Sequence, residues 1–165
     1  MQDKKNFYIN GQWVSPIEPR SFEVINPATE EPCAEISLGG KKDVDAAVTS
    51  AKKAFEIWGF TTKEERLNLF EKLYDIYKKN WDQMAKTISL EMGAPIDFST
   101  ELQTKTGASH IKSFKNILKN FKFEKTLDEE KNQTILYEPK GVCALITPWN
   151  WPINQVNLKV IPALA

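Results

Sequence analysis

A five-residue turn near the end of the chain, Pro148-Trp149-Asn150-Trp151-Pro152, carries the side chains best suited to bind a ligand. The two prolines fix φ and stiffen the turn, and each indole adds a flat apolar surface with one hydrogen-bond donor. Asn150 adds a side-chain amide whose N–H group can point into a crevice. The structural alternative is that Asn150 only caps the turn through its side chain.

The elements on either side of this turn indicate why it would lie at a binding site. The preceding segment, Val142–Ile146, is continuously apolar, as in a strand buried on both faces of a parallel sheet. Ligands of open α/β sheets bind at the carboxyl ends of such strands. Parallel strands need neighbours delivered by crossover helices, and the sequence holds no second strand of this kind. An apolar helix begins after the turn and reaches Ala165 without a C-cap, so we expect the chain to be a fragment.

The first 120 residues predict a small antiparallel layer followed by three or four helices. Asn10-Gly11 inside Phe7–Val14 is a strong hairpin signal, Phe22–Ile25 reads as another strand, and Cys33 is expected in a loop. Apolar residues at helical spacing, which we assign to core packing, then predict helices over the stretches 44–58, 69–77, 81–92 and 111–121.

Polar residues mark the expected ends of these helices. Thr62 and Glu65 form a capping-box pair, Asn80 is a candidate N-cap, and Gly93 is a candidate C-terminal residue. His110 lies on a lysine-rich helix and is expected to be solvated. Two alternating stretches, Phe121–Glu124 and Thr134–Tyr137, flank the polar stretch 127–133 and predict a hairpin with a charged turn.

Composition excludes several classes of function. The 22 Lys and Arg residues balance the 22 Asp and Glu residues, so no basic surplus indicates binding to nucleic acid or to an anionic membrane. The longest apolar run is far shorter than the ~20 residues that cross a bilayer. Two cysteines make no disulfide framework, and no residue spacing indicates a metal site. We therefore expect a soluble cytoplasmic protein with reduced thiols.

Short motifs occur in a specific order along nearly the whole chain: Phe7–Val14, Val24–Thr29, Asp43–Val48, Glu65-Arg66, Glu91–Pro95, Glu138–Val142, the turn itself and Pro162–Ala165. In this order and spacing they resemble the N-terminal part of an aldehyde dehydrogenase, a member of the NAD(P)-dependent superfamily. The resemblance implies an α/β fold in which helices and small antiparallel strands lead into the first strand of an incomplete Rossmann-like parallel sheet.

The resemblance also implies three divisions of the chain. Residues 1–120 would be the helical part of the cofactor-binding domain with its small β layer. Residues 121–139 would be the hairpin that pairs between subunits of a homodimer or homotetramer, and residues 140–165 would begin the Rossmann-like sheet. The hairpin could otherwise be an ordinary edge hairpin with a solvated turn.

Members of this family oxidise an aldehyde to a carboxylic acid through a cysteine thiohemiacetal and a hydride transfer to NAD or NADP. Asn150 matches the family asparagine whose amide helps to hold the oxyanion. The cofactor cleft is matched by four consecutive residues that act largely through their main chain: Ile146, Thr147, Pro148 and Trp149. The alternative for these four is a strand end and turn without a ligand.

Neither cysteine matches the family nucleophile. Cys143 is expected inside the apolar strand, where burial would raise the pKa of its thiol. The family cysteine and glutamate base correspond to positions beyond Ala165, so we expect the chain alone to be inactive. Two alternatives stay open: a non-catalytic short form that pairs with full-length subunits through the hairpin, and a small stand-alone domain that grips a nucleotide with the turn.

Overall fold

The computed structural model describes residues 2–128, 130 and 132–165, in which short N-terminal strands precede a layer of helices. The first strands are β1 (Gln2–Lys4), β2 (Phe7–Ile9), β3 (Gln12–Val14), β4 (Ser21–Asn26) and β5 (Glu31–Ser37). The helices are α1 (Lys41–Trp58), α2 (Lys63–Lys79), α3 (Trp81–Met92), α4 (Ile96–Phe98), α5 (Lys105–Asn120) and α6 (Pro152–Leu164). Strands β6 (Glu124–Asp128) and β7 (Gln133–Leu136) lie between α5 and α6. None of the helices in the described part is long and apolar enough to traverse a bilayer.

The N-terminal strands form two groups. Strands β2 and β3 make the predicted hairpin, whose central residues Asn10 and Gly11 both have positive φ, 54° and 75°. The sequence predicts a purely antiparallel layer. The structure differs, because β5 pairs antiparallel with β4 but parallel with β1. The expectation that Cys33 lies in a loop is wrong, because it lies in β5 and its thiol donates to the Val24 carbonyl oxygen at 3.3 Å. Pro32 fits this strand where the register shifts beside Ile25.

The predicted helices form, and most of their ends are confirmed. Thr62 and Glu65 make a reciprocal capping box, and Gly93 ends α3 in the left-handed region at φ 73°. Asn80 lies at the predicted N-cap position of α3, but its side chain does not cap that helix. Its side-chain amide donates back to the Ile76 carbonyl oxygen at 2.8 Å, because at ψ 12° its backbone is not in the extended conformation typical of an N-cap.

The core lies where α2, α5 and α6 meet. Phe70, Ile111 and Ile161, one from each helix, are fully buried. A Cβ atom at Gly107 of α5 would overlap the Tyr77 hydroxyl and lie 3.1 Å from the Ile153 side chain. Glycine at this position therefore lets the backbones of neighbouring helices approach closely.

A continuous stretch of helical backbone, residues 96–120, which we call the helical rod, contributes α5 to this core. Helical backbone continues from α4 through a π-helical stretch, Ser99–Thr104, into α5. The Tyr77 hydroxyl donates to the Thr104 carbonyl oxygen at 2.7 Å, which ties α2 to this rod, and burial raises the pKa of that hydroxyl. The rod ends at Asn120, where the chain leaves for the hairpin.

The hairpin forms as β6 and β7, shifted by a few residues from the predicted strands. Its predicted turn includes Glu129 and Lys131, which lie outside the described residues. Leu127, Leu136 and Tyr137 are 64%, 57% and 43% exposed, so the apolar side chains of this hairpin are poorly covered by the rest of the described chain.

Residues 142–146 form no strand in the described structure, although their apolar pattern predicts one. A parallel strand requires neighbours that complete its main-chain hydrogen bonds, and no neighbouring strand lies beside it in the described residues. Cys143 and Ile146 are consequently exposed, so the expectation of a buried Cys143 thiol is wrong for this chain.

Asp43 joins the N-terminal layer to the start of α1. Its carboxylate accepts main-chain hydrogen bonds from Ile17 and Gly40, both at 2.8 Å, while the residue is 6% exposed. These two donors hold the pKa of the Asp43 carboxyl below its ordinary value. The charged form is therefore the one that the fold stabilises.

We expect Asp43→Asn to destabilise the fold at neutral pH and to matter less in acid. A lowered folded-state pKa contributes stability that is complete above the unfolded-state pKa and is lost as the pH falls through the folded-state value. Urea midpoints measured from pH 7 to pH 2.5 should therefore begin to converge for the two proteins below about pH 4 and should approach each other further as the pH falls. Asp45→Asn on the same helix, which removes only an exposed ion pair with Lys41, should cost little. A constant gap across the pH range would contradict the prediction.

Candidate functional site

The turn at residues 148–152 connects the segment 142–147, which forms no strand, to α6 and leaves Asn150 accessible. Asn150 is exposed, and none of the hydrogen bonds found among the described residues uses its side chain. The turn-capping alternative requires such a bond. The geometry therefore favours an Asn150 amide that is free to bind a ligand.

The turn is held mainly on its α6 side. The Trp151 ring packs edge-on against Phe98 of α4, with centroids 5.5 Å apart and planes at 67°. Pro152 occupies the first turn of α6, where a proline loses no helical hydrogen bond, and Gln155 N–H donates to the Trp151 carbonyl oxygen at 2.9 Å. An aromatic contact and a preorganised helix start thus lie directly after Asn150.

The four residues expected at the cofactor cleft are open to solvent. Ile146 is 84% exposed and Trp149 is 80% exposed. Among the described residues, the main-chain groups of 146–149 take part in no hydrogen bond. These N–H and C=O groups are therefore available to a ligand, which fits the main-chain role that the resemblance implies.

Three of the expected residues line one cleft of about 580 Å³. Thr147, Pro148 and Trp149 line it together with residues at the end of β4, the end of α3 and the start of α6. Ile146 and Asn150 are not among the residues that line it. The structure thus brings 147–149 together on one cleft but leaves Ile146 and Asn150 beside it.

Glu91 is a cleft residue to which the sequence analysis assigns no chemistry. It lines both the cleft just described and a second one of about 410 Å³ between α3 and α6, and desolvation there raises the pKa of its carboxyl. Glu91 belongs to the motif Glu91–Pro95 at the end of α3, and membership of that motif could have indicated it as a candidate site residue. The sequence could not show that α6 packs beside it.

His110 and the cysteines differ in their relation to the turn. The expectation of a solvated His110 is wrong, since the residue is half-buried and its Nε2 lies 2.7 Å from Oδ1 of Asn154 in α6. The thiol of Cys143 is exposed and lies 3.6 Å from the Gly141 carbonyl oxygen. Within the described part of the chain, His, Cys, Asp and Glu side chains do not gather in threes as metal ligands would.

The model of the aldehyde dehydrogenase family matches residues 13–165, and the chain belongs to that family. Among curated proteins, the whole chain is 46% identical to a 3-succinoylsemialdehyde-pyridine dehydrogenase of a Pseudomonas species and covers 34% of it. The predicted family is therefore confirmed.

Solved structures confirm the predicted α/β fold class. An aldehyde dehydrogenase from Bartonella henselae has a TM-score of 0.96 at 53% identity, over 99% of this chain and 35% of that one. A mutant aldehyde dehydrogenase C from Pseudomonas syringae, solved with NAD+ and octanal, has a TM-score of 0.93 at 39% identity, over 97% and 32%. The chain thus spans about a third of the length of these relatives.

We expect Trp151→Ala to loosen the turn and to lower the free energy of unfolding by about 1 kcal/mol or more, since an edge-to-face pair is worth ~0.5–1.5 kcal/mol beyond the area it buries. Urea unfolding measures the loss. The matched control is Trp149→Ala, which removes a largely exposed indole and should stay within about 0.5 kcal/mol. Equal losses for both variants would show that the Phe98 contact does not anchor the turn.

Proposed function

We propose that the protein to which this chain belongs is an NAD(P)-dependent aldehyde dehydrogenase that oxidises a small-molecule aldehyde to a carboxylic acid. The observation that carries the proposal is the free, exposed Asn150 amide on a turn stiffened by two prolines. The family membership and the similarity to NAD+-bound relatives support it.

Asn150 acts as an oxyanion donor in this proposal. A cysteine thiolate supplied by the rest of the protein adds to the aldehyde carbonyl carbon and converts its oxygen to an alkoxide. The Asn150 N–H group donates to that oxygen, and because the turn is already held, little reorganisation accompanies the development of charge. The amide therefore stabilises the transition state more than the ground state.

The available main-chain groups of residues 146–149 hold NAD or NADP in this proposal. The nicotinamide, when bound, accepts the hydride. The relevant contribution of this chain is a stretch of backbone without internal hydrogen-bond partners, which can bind the cofactor without first breaking bonds of its own. Trp149 adds an exposed indole at the same place.

The three divisions of the chain have different roles. Residues 1–120 form the helical part of the cofactor-binding domain with its small β layer, residues 140–165 begin its sheet, and residues 121–139 pair with another subunit in a homodimer or homotetramer. The exposed apolar side chains of β6 and β7 favour such pairing. The same observation favours the second candidate function, a non-catalytic short form that pairs with full-length subunits. We further propose a cytoplasmic location.

We expect the 165-residue chain alone to show no aldehyde dehydrogenase activity. Cys33 is committed to β5, and Cys143 lies on a segment that forms no strand, so neither thiol is held beside Asn150 in a defined site. The assay follows NADH absorbance with NAD+ and a series of aldehydes, with the complete protein as the positive control. NADH formation that co-purifies with the chain and is lost in Cys143→Ser would overturn this expectation.

In the complete protein, Asn150→Ala should lower kcat by about 10²-fold or more, because one oxyanion donor is removed. NAD+ affinity should change little, since the cofactor contacts are main-chain groups of other residues. Asn150→Asp should be at least as harmful, because it places a negative charge beside the oxyanion. Steady-state kinetics and NAD+ titration test both variants. A near-normal kcat for Asn150→Ala would exclude the oxyanion role.

A further inference from the structure

Helix α6 begins without a side-chain cap. Trp151 precedes its first turn and offers no side-chain oxygen to the free N–H groups, and Pro152 follows directly. A helix start that is not capped depends on lateral contacts for its position. The direction in which Asn150 points therefore depends on what holds the first two turns of α6, in addition to the contact between Trp151 and Phe98.

Two hydrogen bonds join these turns to α5. The amide oxygen of Asn154 lies 2.7 Å from Nε2 of His110, and because an amide oxygen only accepts, the ring nitrogen is the donor. One turn later, the Asn157 side-chain amide donates to the Gly107 carbonyl oxygen at 2.9 Å. Both bonds run between the same two helix faces, since the partners are spaced three residues apart on each helix.

The second bond is buried and so is costly to lose. Asn157 is 7% exposed, and a buried amide without a partner would retain its full desolvation penalty. The glycine at position 107 lets the helices approach closely enough for this side chain to reach a main-chain carbonyl. The bond fixes both the separation and the register of α6 against α5.

We propose that His110, Asn154 and Asn157 are positioning residues that act through α6 to fix the orientation of the Asn150 amide. The inference rests on the proposed oxyanion role of Asn150. None of the three residues needs to touch the substrate. Each acts by holding the first turns of α6, which follow Asn150 by only a few residues.

A purely structural role predicts a different result from a positioning role, and Tyr77→Phe distinguishes them. This variant removes the buried hydrogen bond from Tyr77 to Thr104, which ties α2 to the same rod but does not involve α6. His110→Phe keeps an aromatic ring but removes the donor to Asn154. His110→Gln replaces the ring donor with an amide nitrogen at a similar distance from the backbone, so it should restore the hydrogen bond to Asn154 that His110→Phe removes.

The first measurement is hydrogen–deuterium exchange of main-chain amides in the complete protein. His110→Phe and Asn157→Leu should raise exchange at residues 155–160, whose N–H groups bond within α6, by about tenfold relative to Tyr77→Phe, while His110→Gln stays near the original protein. This readout does not depend on activity. Equal exchange in His110→Phe and Tyr77→Phe would overturn the positioning role even if Asn150 is catalytic.

The second measurement is a double-mutant cycle on kcat. His110→Phe alone should lower kcat by about tenfold with KM for NAD+ little changed, since a small misplacement of a catalytic group is costly. Combined with Asn150→Ala, it should have little further effect, because its influence passes through Asn150. Independent, multiplying effects would exclude that route. A normal kcat for Asn150→Ala alone would instead refute the proposed oxyanion role. The exchange measurement would still test whether these residues hold the start of α6.

Discussion

The close approach of α6 to α5 at Gly107 is the constraint on which the rest of this structure depends. A side chain at that position would overlap Tyr77 and press against Ile153, so the core of α2, α5 and α6 could not close as it does. Closure buries Ile161 fully and brings Asn157 within reach of a main-chain carbonyl. The turn that carries Asn150 is attached directly to the helix that this packing fixes.

In this arrangement, the main chain and the side chains of the turn have different roles. The main chain of residues 146–149 is free of internal hydrogen bonds among the described residues and is available to a cofactor. Asn150 offers its side chain, and the anchoring contacts lie on the other side, at Trp151 and in α6. The residues that can contact a ligand, 146–150, are thus different from those that hold the turn in place, so the site can be open to a ligand while the turn stays anchored.

Apolar surface remains uncovered where the packing of this chain ends. Phe55 and Trp58 of α1 line clefts that residues of the segment 141–145 also line, and Ile146 is largely exposed. A continuously apolar strand is fully buried only when neighbouring strands pair with its edges and helices cover both faces of the sheet. The relatives are about three times as long as this chain, which accords with a surface that further chain would cover.

The sequence by itself determined the elements whose causes are local. The Asn10-Gly11 turn, the Thr62–Glu65 capping box and the left-handed Gly93 depend on a few adjacent residues, and the order of motifs indicated the family. Tertiary structure decided the rest, because contacts between residues distant in sequence leave no local signal. The Asn80 side chain bonds to α2, and Cys33 lies in β5. His110 contacts Asn154 because α6 packs on α5. The segment 142–146 has the pattern of a strand, but a strand also needs a neighbour to pair with.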